Sequence, residues 1–317
     1  MKASFLTSVV DEPRLFEKML SSLAMQTIDN FELVLVIDKP DDPRVEAALF
    51  DLTKEYANNF DIITIQNDHR RGLTFNLNHA AAAARGDVLV RIDADDMCAP
   101  NRLETIMPFF ESGFHLVGNA CQLINAADQA VGIYPGKQHS HQETHGKLTD
   151  LRRVVAHSGL AFSKLLFERI NGYDEHFTFA QDYDFLLRAV ETTSNEDFVI
   201  IEDVLTIVRL HDAAISQSTH RLEQITFQLE ALIQHRARTS PQPDSTRTDI
   251  HGQALKEKIM AAPQWKSVTR AQEFKARLRS EPRITQLLNF IMAPKRFFDV
   301  INQRRSLLKI ANNIKGQ

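Results

Sequence analysis

Cysteine is almost missing from this chain. Its 317 residues contain two, Cys98 and Cys121. They form no Cys-x-x-Cys pair, which excludes a disulfide framework or a thiolate zinc centre as the organising element. A reducing cytoplasm is the expected setting. Long apolar runs are missing too, and none approaches the roughly 18 residues that a membrane-spanning helix requires. The first residues carry one Lys and a very short apolar run before Asp11 and Glu12, which does not read as a secretory leader. No internal repeat is visible. What remains is an ordinary globular composition, 43% hydrophobic and 25% charged. The length allows one large domain plus an appendage.

Charge is distributed unevenly. The formal net charge is −4, yet residues 264–317 hold 12 Lys or Arg against 3 Asp or Glu, a local balance of +9. An acidic body with a basic tail predicts that the tail meets something anionic, either a membrane surface or the body itself. Phe290-Ile291-Met292 and Phe297-Phe298 beside Lys295 and Arg296 are apolar anchors flanked by cations, a pattern suited to an anionic membrane surface. Nucleic acid is not expected as a partner, because no recognised fold or stacking motif accompanies the charge.

The first half alternates strand and helix signals. Ser4 to Val10, Phe31 to Ile37, Asp61 to Gln66 and Asp87 to Ile92 read as strands. Arg14 to Gln26, Val45 to Asn58 and Gly72 to Ala84 read as helices between them. Repeated units of this length predict an α/β fold with a mostly parallel central sheet and flanking helices. Ligands of such sheets bind beyond the carboxyl ends of the strands. Val10-Asp11, Asp38 and Asp93 to Asp96 all fall at predicted strand ends, so one crevice is expected to collect them. Further along, Tyr134 to Thr149 reads as a polar, His-rich loop, and Leu160 to Ile170, Asp182 to Thr192 and Arg221 to Arg236 read as helical. The expected division is a domain over 1–220 and a helical extension over 221–317, with a polar linker near 239–248 and the basic tail last.

The run Arg91-Ile92-Asp93-Ala94-Asp95-Asp96 carries the chemistry. Three carboxylates at the end of a buried strand repel one another, and a hard cation relieves that repulsion. Mg²⁺ or Mn²⁺ held by one or two carboxylates keeps coordination sites for substrate phosphates. His139, His141 and His145 look like a metal tract, but a flexible polar loop is the preferred reading.

Four segments occur in order: Phe31 to Asp38; Arg71-Gly72-Leu73 with Asn78, leading to Asp93-Ala94-Asp95-Asp96; Asn171-Gly172-Tyr173-Asp174-Glu175 followed by Gln181-Asp182-Tyr183-Asp184; and Val208-Arg209-Leu210-His211. Each is weak alone, but together they resemble the family 2 inverting glycosyltransferases of GT-A fold, over roughly residues 3–217. The resemblance implies transfer of one sugar from a nucleoside diphosphate donor, UDP-linked, to a hydroxyl of a glycan or lipid-linked acceptor in cell-surface polysaccharide synthesis. The chain would then work in the cytoplasm or at the inner face of the membrane. It also implies roles. Asp38 and Asp93 contact the nucleotide, with Val10, Asp11, Arg71, Asn78 and Arg209 lining its site. Asp95, Asp96 and His211 serve the metal, Asp96 in support of Asp95. Asp182 is the base that takes the acceptor proton. Gln181 stands where the family commonly has Glu, and Val208 where it often has Tyr. A Gln-x-x-Arg-Trp motif is missing, which disfavours a processive synthase.

Each carboxylate also has a purely structural reading. Asp38 could end a strand in a turn, Asp182 could cap a helix, and Asp184 is an acid favoured by the dipole of the first helical turn rather than a second base. A sugar-nucleotide pyrophosphorylase would need a Gly-rich basic loop after the first strand, where this chain has Asp11-Glu12-Pro13-Arg14. A non-catalytic module binding membranes or partners through its basic tail is the alternative from a different class.

Overall fold

The computed structural model describes residues 1–210, 221–240, 257, 259–262 and 304–311. They divide between two compact units, one of residues 1–146 and 153–211, the other of 147–152 and 212–317. In chain order the first unit runs β1 (Ala3–Val9), α1 (Pro13–Ala24), β2 (Phe31–Ile37), α2 (Pro43–Tyr56), β3 (Asp61–Gln66), α3 (Leu73–Ala83), β4 (Val88–Arg91), β5 (Met97–Cys98), α4 (Arg102–Glu111), β6 (Leu116–Ile124), β7 (Ala130–Tyr134) and β8 (His139–Ser140). It then continues through α5 (His141–Thr149, which ends in the second unit), β9 (Leu160–Ser163), α6 (Lys164–Arg169), α7 (Gln181–Thr192) and β10 (Phe198–Arg209). The second unit contains α8 (Arg221–Arg238).

All these strands join one sheet in the order β3-β2-β1-β4-β9-β6-β10-β5, with β7 on β6 and β8 on β10. The β3-β2-β1-β4 half is parallel. Its inner strands are largely apolar, as expected where both faces are covered: every residue of β2 is buried, Glu32 among them, while the edge strand β3 is half-exposed. Each fully buried Leu, Val or Ile contributes about 1.5–3 kcal/mol. α1 shows the matching pattern, with Phe16, Met19, Leu20 and Leu23 inward. β9 enters antiparallel between β4 and β6, which leaves β6 and β10 parallel to each other and running in the same sense as β4. The carboxyl ends of β1, β2, β4 and β10 therefore open on one edge.

The structure corrects two local expectations. The segment from Leu160 to Ile170 is not one helix. Its first four residues are β9, and Ser163 then caps α6 by accepting from Leu166 N at 3.0 Å. A short apolar run has the same composition in a buried strand or a buried helix, and only its neighbours in the sheet decide. Tyr134 to Thr149 is not a loop either. It ends β7, forms β8 and continues as α5, with His139 buried and His141 Nε2 2.9 Å from the Val190 carbonyl.

Glu32 is a buried carboxylate in the middle of this apolar half. It accepts from Lys2 Nζ at 2.9 Å, Ser4 Oγ at 2.7 Å and Arg85 N at 2.6 Å. Burial opposes its ionisation, but these donors prevail and hold its pKa below the usual carboxylate value. Ser4 Oγ also takes the Gly86 amide at 2.9 Å, and a Cβ on Gly86 would lie 2.6 Å from that oxygen, so the turn into β4 needs glycine. Glu32→Gln should cost roughly 1–3 kcal/mol, the range for leaving buried partners unsatisfied. Because the folded pKa is depressed, the Glu32 contribution is present above the unfolded value of 4.5 and lost as pH falls through the folded value. Urea titrations at pH 7 and pH 4 check this: the difference between wild type and variant should shrink at the lower pH.

In the second unit, α8 buries Leu229 and Leu232, and the helical segment 304–311 buries Leu307 and Ile310. Arg304 lies 3.7 Å from Asp150 in the same unit. The remainder of the basic tail, including Phe290 to Phe298, lies outside the described residues, as do His211 and the 241–248 part of the expected linker.

Candidate active site

Asp38 directly follows β2 and is nearly enclosed, with 3% of its surface exposed. One carboxylate oxygen accepts from Asn67 Nδ2 and Arg71 N, both at 2.8 Å, and the other from Gly72 N at 3.0 Å. Burial works against the charge, but these bonds outweigh it and the pKa is lowered. Asp38 thus stays ionised while it fastens the entrance of α3. Asn67 also donates to Asn76 Oδ1, and Asn76 reaches Ser8 Oγ, so a polar chain ties together the ends of β1, β2 and β3. The Arg71 guanidinium lies over the Phe75 ring, 3.8 Å from its centroid, a cation–π contact at the crevice mouth. Val10 is half-buried and Asp11 exposed at the end of β1. Asn78 is engaged elsewhere. Its amide donates to the Tyr173 carbonyl at 2.8 Å and its oxygen accepts from Tyr173 N at 2.9 Å, bracing the 171–175 turn.

The acidic loop begins where β4 stops. Arg91, wholly buried, bonds to the Leu6 carbonyl at 3.1 Å and pairs with the Asp93 carboxylate. Ser158, in the chain turn before β9, meets both flanking carboxylates. Its Oγ lies 2.9 Å from Asp93 Oδ2 and 2.5 Å from Asp96 Oδ2, and it accepts from Asp93 N at 3.0 Å. The other oxygen of Asp96 accepts from Arg209 N at 2.8 Å. Asp96 is therefore enclosed and engaged on both sides, while Asp95 beside it is only half-buried. Burial, and then the charges of Asp93 and Asp95, push the Asp96 carboxyl well above the ordinary range. Asp93 goes the other way: burial resists ionisation, but the Arg91 charge and the Ser158 bond lower its pKa.

This is an all-oxygen donor set in which the carboxylates repel one another, the chemistry that suits Mg²⁺ or Mn²⁺. Among the described residues, no three His, Cys, Asp or Glu side chains gather to hold a cation by themselves. The Arg209 guanidinium pairs with Asp128 at 2.5 Å, so its side chain is bound to the β6–β7 turn while its amide supports the acidic loop.

Asp182 is the second residue of α7, whose inner face is made by Phe185, Leu186, Ala189 and Val190. Ala180 precedes the helix with a φ of 58°, a left-handed turn costing about 1–2 kcal/mol, which swings Gln181 and Asp182 to the helix start. Asp182 Oδ1 accepts from Tyr183 N at 2.9 Å. Asp184 is a structural acid: it pairs with Arg188 at 2.5 Å, and Arg188 in turn holds the Ile170 and Gly172 carbonyls at 2.6 and 2.7 Å.

The residue before Ser158 belongs to a buried pair. His157 Nε2 is 2.8 Å from the Tyr173 hydroxyl, and Tyr173 packs among Phe162, Phe167 and Phe185. Burial first, then the Arg91 charge, push the His157 pKa down to about 4, against the pull of Asp182 and Asp93. Burial raises the Tyr173 phenol, and the same two carboxylates raise it further. A neutral buried His has a stability consequence. Below pH 6.5 the unfolded chain binds the proton and the folded one does not, so stability should fall as pH drops from about 6.5 to about 4. The slope is about 1.4 kcal/mol per pH unit for one proton. Denaturant titrations of wild type and His157→Gln at pH 7 and pH 5 measure it: the variant should lose less stability on acidification.

Ser158, His157, Asn67 and Asn76 carry no signal of their own in the sequence motifs. Ser158 and His157 lie in an unremarkable turn, and a small polar residue in an apolar helix such as α3 is the one available hint for Asn76.

An open sheet with this strand order and an acidic turn after its fourth parallel strand are the features expected of a GT-A fold. Residues 4–160 match the family profile described as Glycosyl transferase family 2, and the chain belongs to that family. The O-antigen biosynthesis glycosyltransferase WbnJ of Escherichia coli is 27% identical over 200 residues, 63% of this chain and 76% of that protein. Among solved structures, S. aureus TarS 1-349 in complex with UDP superposes with a TM-score of 0.60 at 13% identity, over 100% of this chain and 92% of that one. The mannosyltransferase PcManGT from Pyrobaculum calidifontis, in complex with GDP-Man and Mn²⁺, gives 0.59 at 17% identity, over 99% and 86%. At these identities the two structures speak for the fold. Among the described residues no helix is long and apolar enough to cross a membrane.

Proposed function

We propose that this enzyme is a metal-dependent, inverting glycosyltransferase that moves one sugar from a nucleoside diphosphate donor, UDP-linked, to a hydroxyl of a glycan or glycolipid in cell-surface polysaccharide assembly. The observation that carries this reading is the placement of Asp38 after β2 and of Asp93 to Asp96 after β4 on one carboxyl edge of the parallel sheet, in a chain whose residues 4–160 match the Glycosyl transferase family 2 profile. Asp38 and Asp93 take the nucleotide, with Arg71 over the crevice mouth. Asp38 has two oxygens and about four acceptor sites, so three bonds from the protein leave room for one from a base. Asn78, engaged with the Tyr173 backbone, is left out of the donor site, while Arg209 is tied to Asp128 through Nη1 alone and keeps Nε and Nη2 unpartnered among the described residues.

Asp95, supported by Asp96, would hold Mn²⁺ or Mg²⁺. When bound, that ion supplies electrostatic stabilisation of the departing diphosphate. Asp182 accepts the proton of the attacking hydroxyl from the face opposite the diphosphate, which inverts the anomeric centre. The relatives' link to O-antigen supports a polysaccharide setting, and the complexes with UDP and with GDP-Man and Mn²⁺ support the donor class and the metal. A thermal-shift screen of UDP- and GDP-sugars with Mn²⁺ tests the donor. A UDP-sugar should raise the melting temperature most, since about 2.7 kcal/mol accrues at a hundredfold excess over Kd. A shift confined to GDP-sugars would overturn the UDP assignment. The basic tail is proposed to bring the enzyme to an anionic membrane surface, and deleting 264–317 should release it from the membrane fraction.

A further inference from the structure

We infer that Ser158 is a positioning residue of the donor end. Its single hydroxyl, lying between Asp93 and Asp96, holds the two carboxylates apart and so presents Asp95 to a divalent cation. This rests on the proposed metal-dependent reading.

Three contacts converge on that one oxygen: Asp93 Oδ2 at 2.9 Å, Asp96 Oδ2 at 2.5 Å and the donating Asp93 N at 3.0 Å. A hydroxyl has one proton to give. It can serve one carboxylate at a time, and the amide of Asp93 fills one of its acceptor sites. The backbone of the acidic turn and both flanking side chains are thereby referred to a single atom from another part of the chain, 65 residues from Asp93.

Ser158 is itself held. It is 1% exposed and sits in the short 3₁₀ turn His157–Gly159. Thr206 Oγ1 lies 3.4 Å from its carbonyl, and Asn119 Nδ2 donates to Thr206 Oγ1 at 3.0 Å, which links the turn to β10 and β6. Gly159 lets this turn lie against β6: a Cβ there would be 2.9 Å from the Asn119 carbonyl and 3.0 Å from Cys121 Sγ. The remaining sides of the two carboxylates are taken by Arg91 on Asp93 and Arg209 N on Asp96. Removing the hydroxyl leaves the two carboxylates with no donor between them, each held from its far side alone. Groups that orient a ligating residue typically account for about 10–100-fold in metal affinity.

Mn²⁺ alone, titrated into the full chain and followed by electron paramagnetic resonance, reads this directly. Ser158→Ala should weaken Mn²⁺ binding about 10–100-fold, and Ser158→Thr, which keeps the hydroxyl, should recover most of it. Melting curves in EDTA should place Ser158→Ala close to wild type, which separates positioning from loss of fold. Equal Mn²⁺ affinity in wild type and Ser158→Ala would overturn the role of Ser158 alone. A wild-type chain that binds no Mn²⁺ would instead remove the metal-dependent reading beneath it. If Ser158→Ala is unfolded in EDTA and Ser158→Thr, although folded, binds Mn²⁺ no better than a chain lacking Asp95, the inference also fails.

Discussion

Asp182→Asn should leave donor binding intact and reduce sugar transfer by about 10²–10⁴, the usual contribution of a positioned general base. The substitution is nearly isosteric. Asn keeps an oxygen to accept from Tyr183 N, so the start of α7 is preserved. What it loses is the capacity to take a proton. Transfer assays with saturating donor, alongside thermal shift with UDP and Mn²⁺, separate the two effects. Unchanged transfer would show that another group is the base. The neighbouring Asp184 gives a control: it is occupied by Arg188, which holds the Ile170 and Gly172 carbonyls. Asp184→Asn should lower the melting temperature through the loosened loop, and whatever activity survives should follow the folded fraction.

Asp95→Asn should act at the opposite end of the reaction. Loss of its charge is expected to reduce kcat/KM by on the order of 10²–10³, the scale for removing one electrostatic contributor from a site of developing negative charge. It should also abolish the part of the UDP thermal shift that depends on Mn²⁺. An Asp95→Asn enzyme with full activity and an unchanged Mn²⁺-dependent shift would remove Asp95 from the donor site. Losses that appear in Asp95→Asn with the donor and in Asp182→Asn without effect on donor binding would assign the two carboxylates to opposite faces of the sugar.

Much of this architecture is legible in one dimension. The alternation of apolar strands and amphipathic helices through Arg91 appears in the structure at nearly the expected residues, because a parallel strand buried on both faces must be apolar throughout, as β2 is but for Glu32. Carboxylates placed after Ile37 and Ile92 had to fall on the same edge once the strands were parallel. Less was legible beyond β6. β9 is four residues long and is defined by its antiparallel neighbours β4 and β6, not by a periodicity of its own. β8 is shorter still.

Sequence alone thus determined the fold class, the edge that carries the acidic residues and the position of Asp182 at a helix start, since each follows from local pattern and strand direction. Only the tertiary structure decided what each polar group faces. Asn78 turned to the backbone of Tyr173, and the Arg209 side chain to Asp128. Ser158 came to lie between two carboxylates more than sixty residues away in sequence. Hydrogen bonds are set by distances of about 3 Å and by direction, and those are properties of neighbours in space, which a linear pattern of residues does not carry.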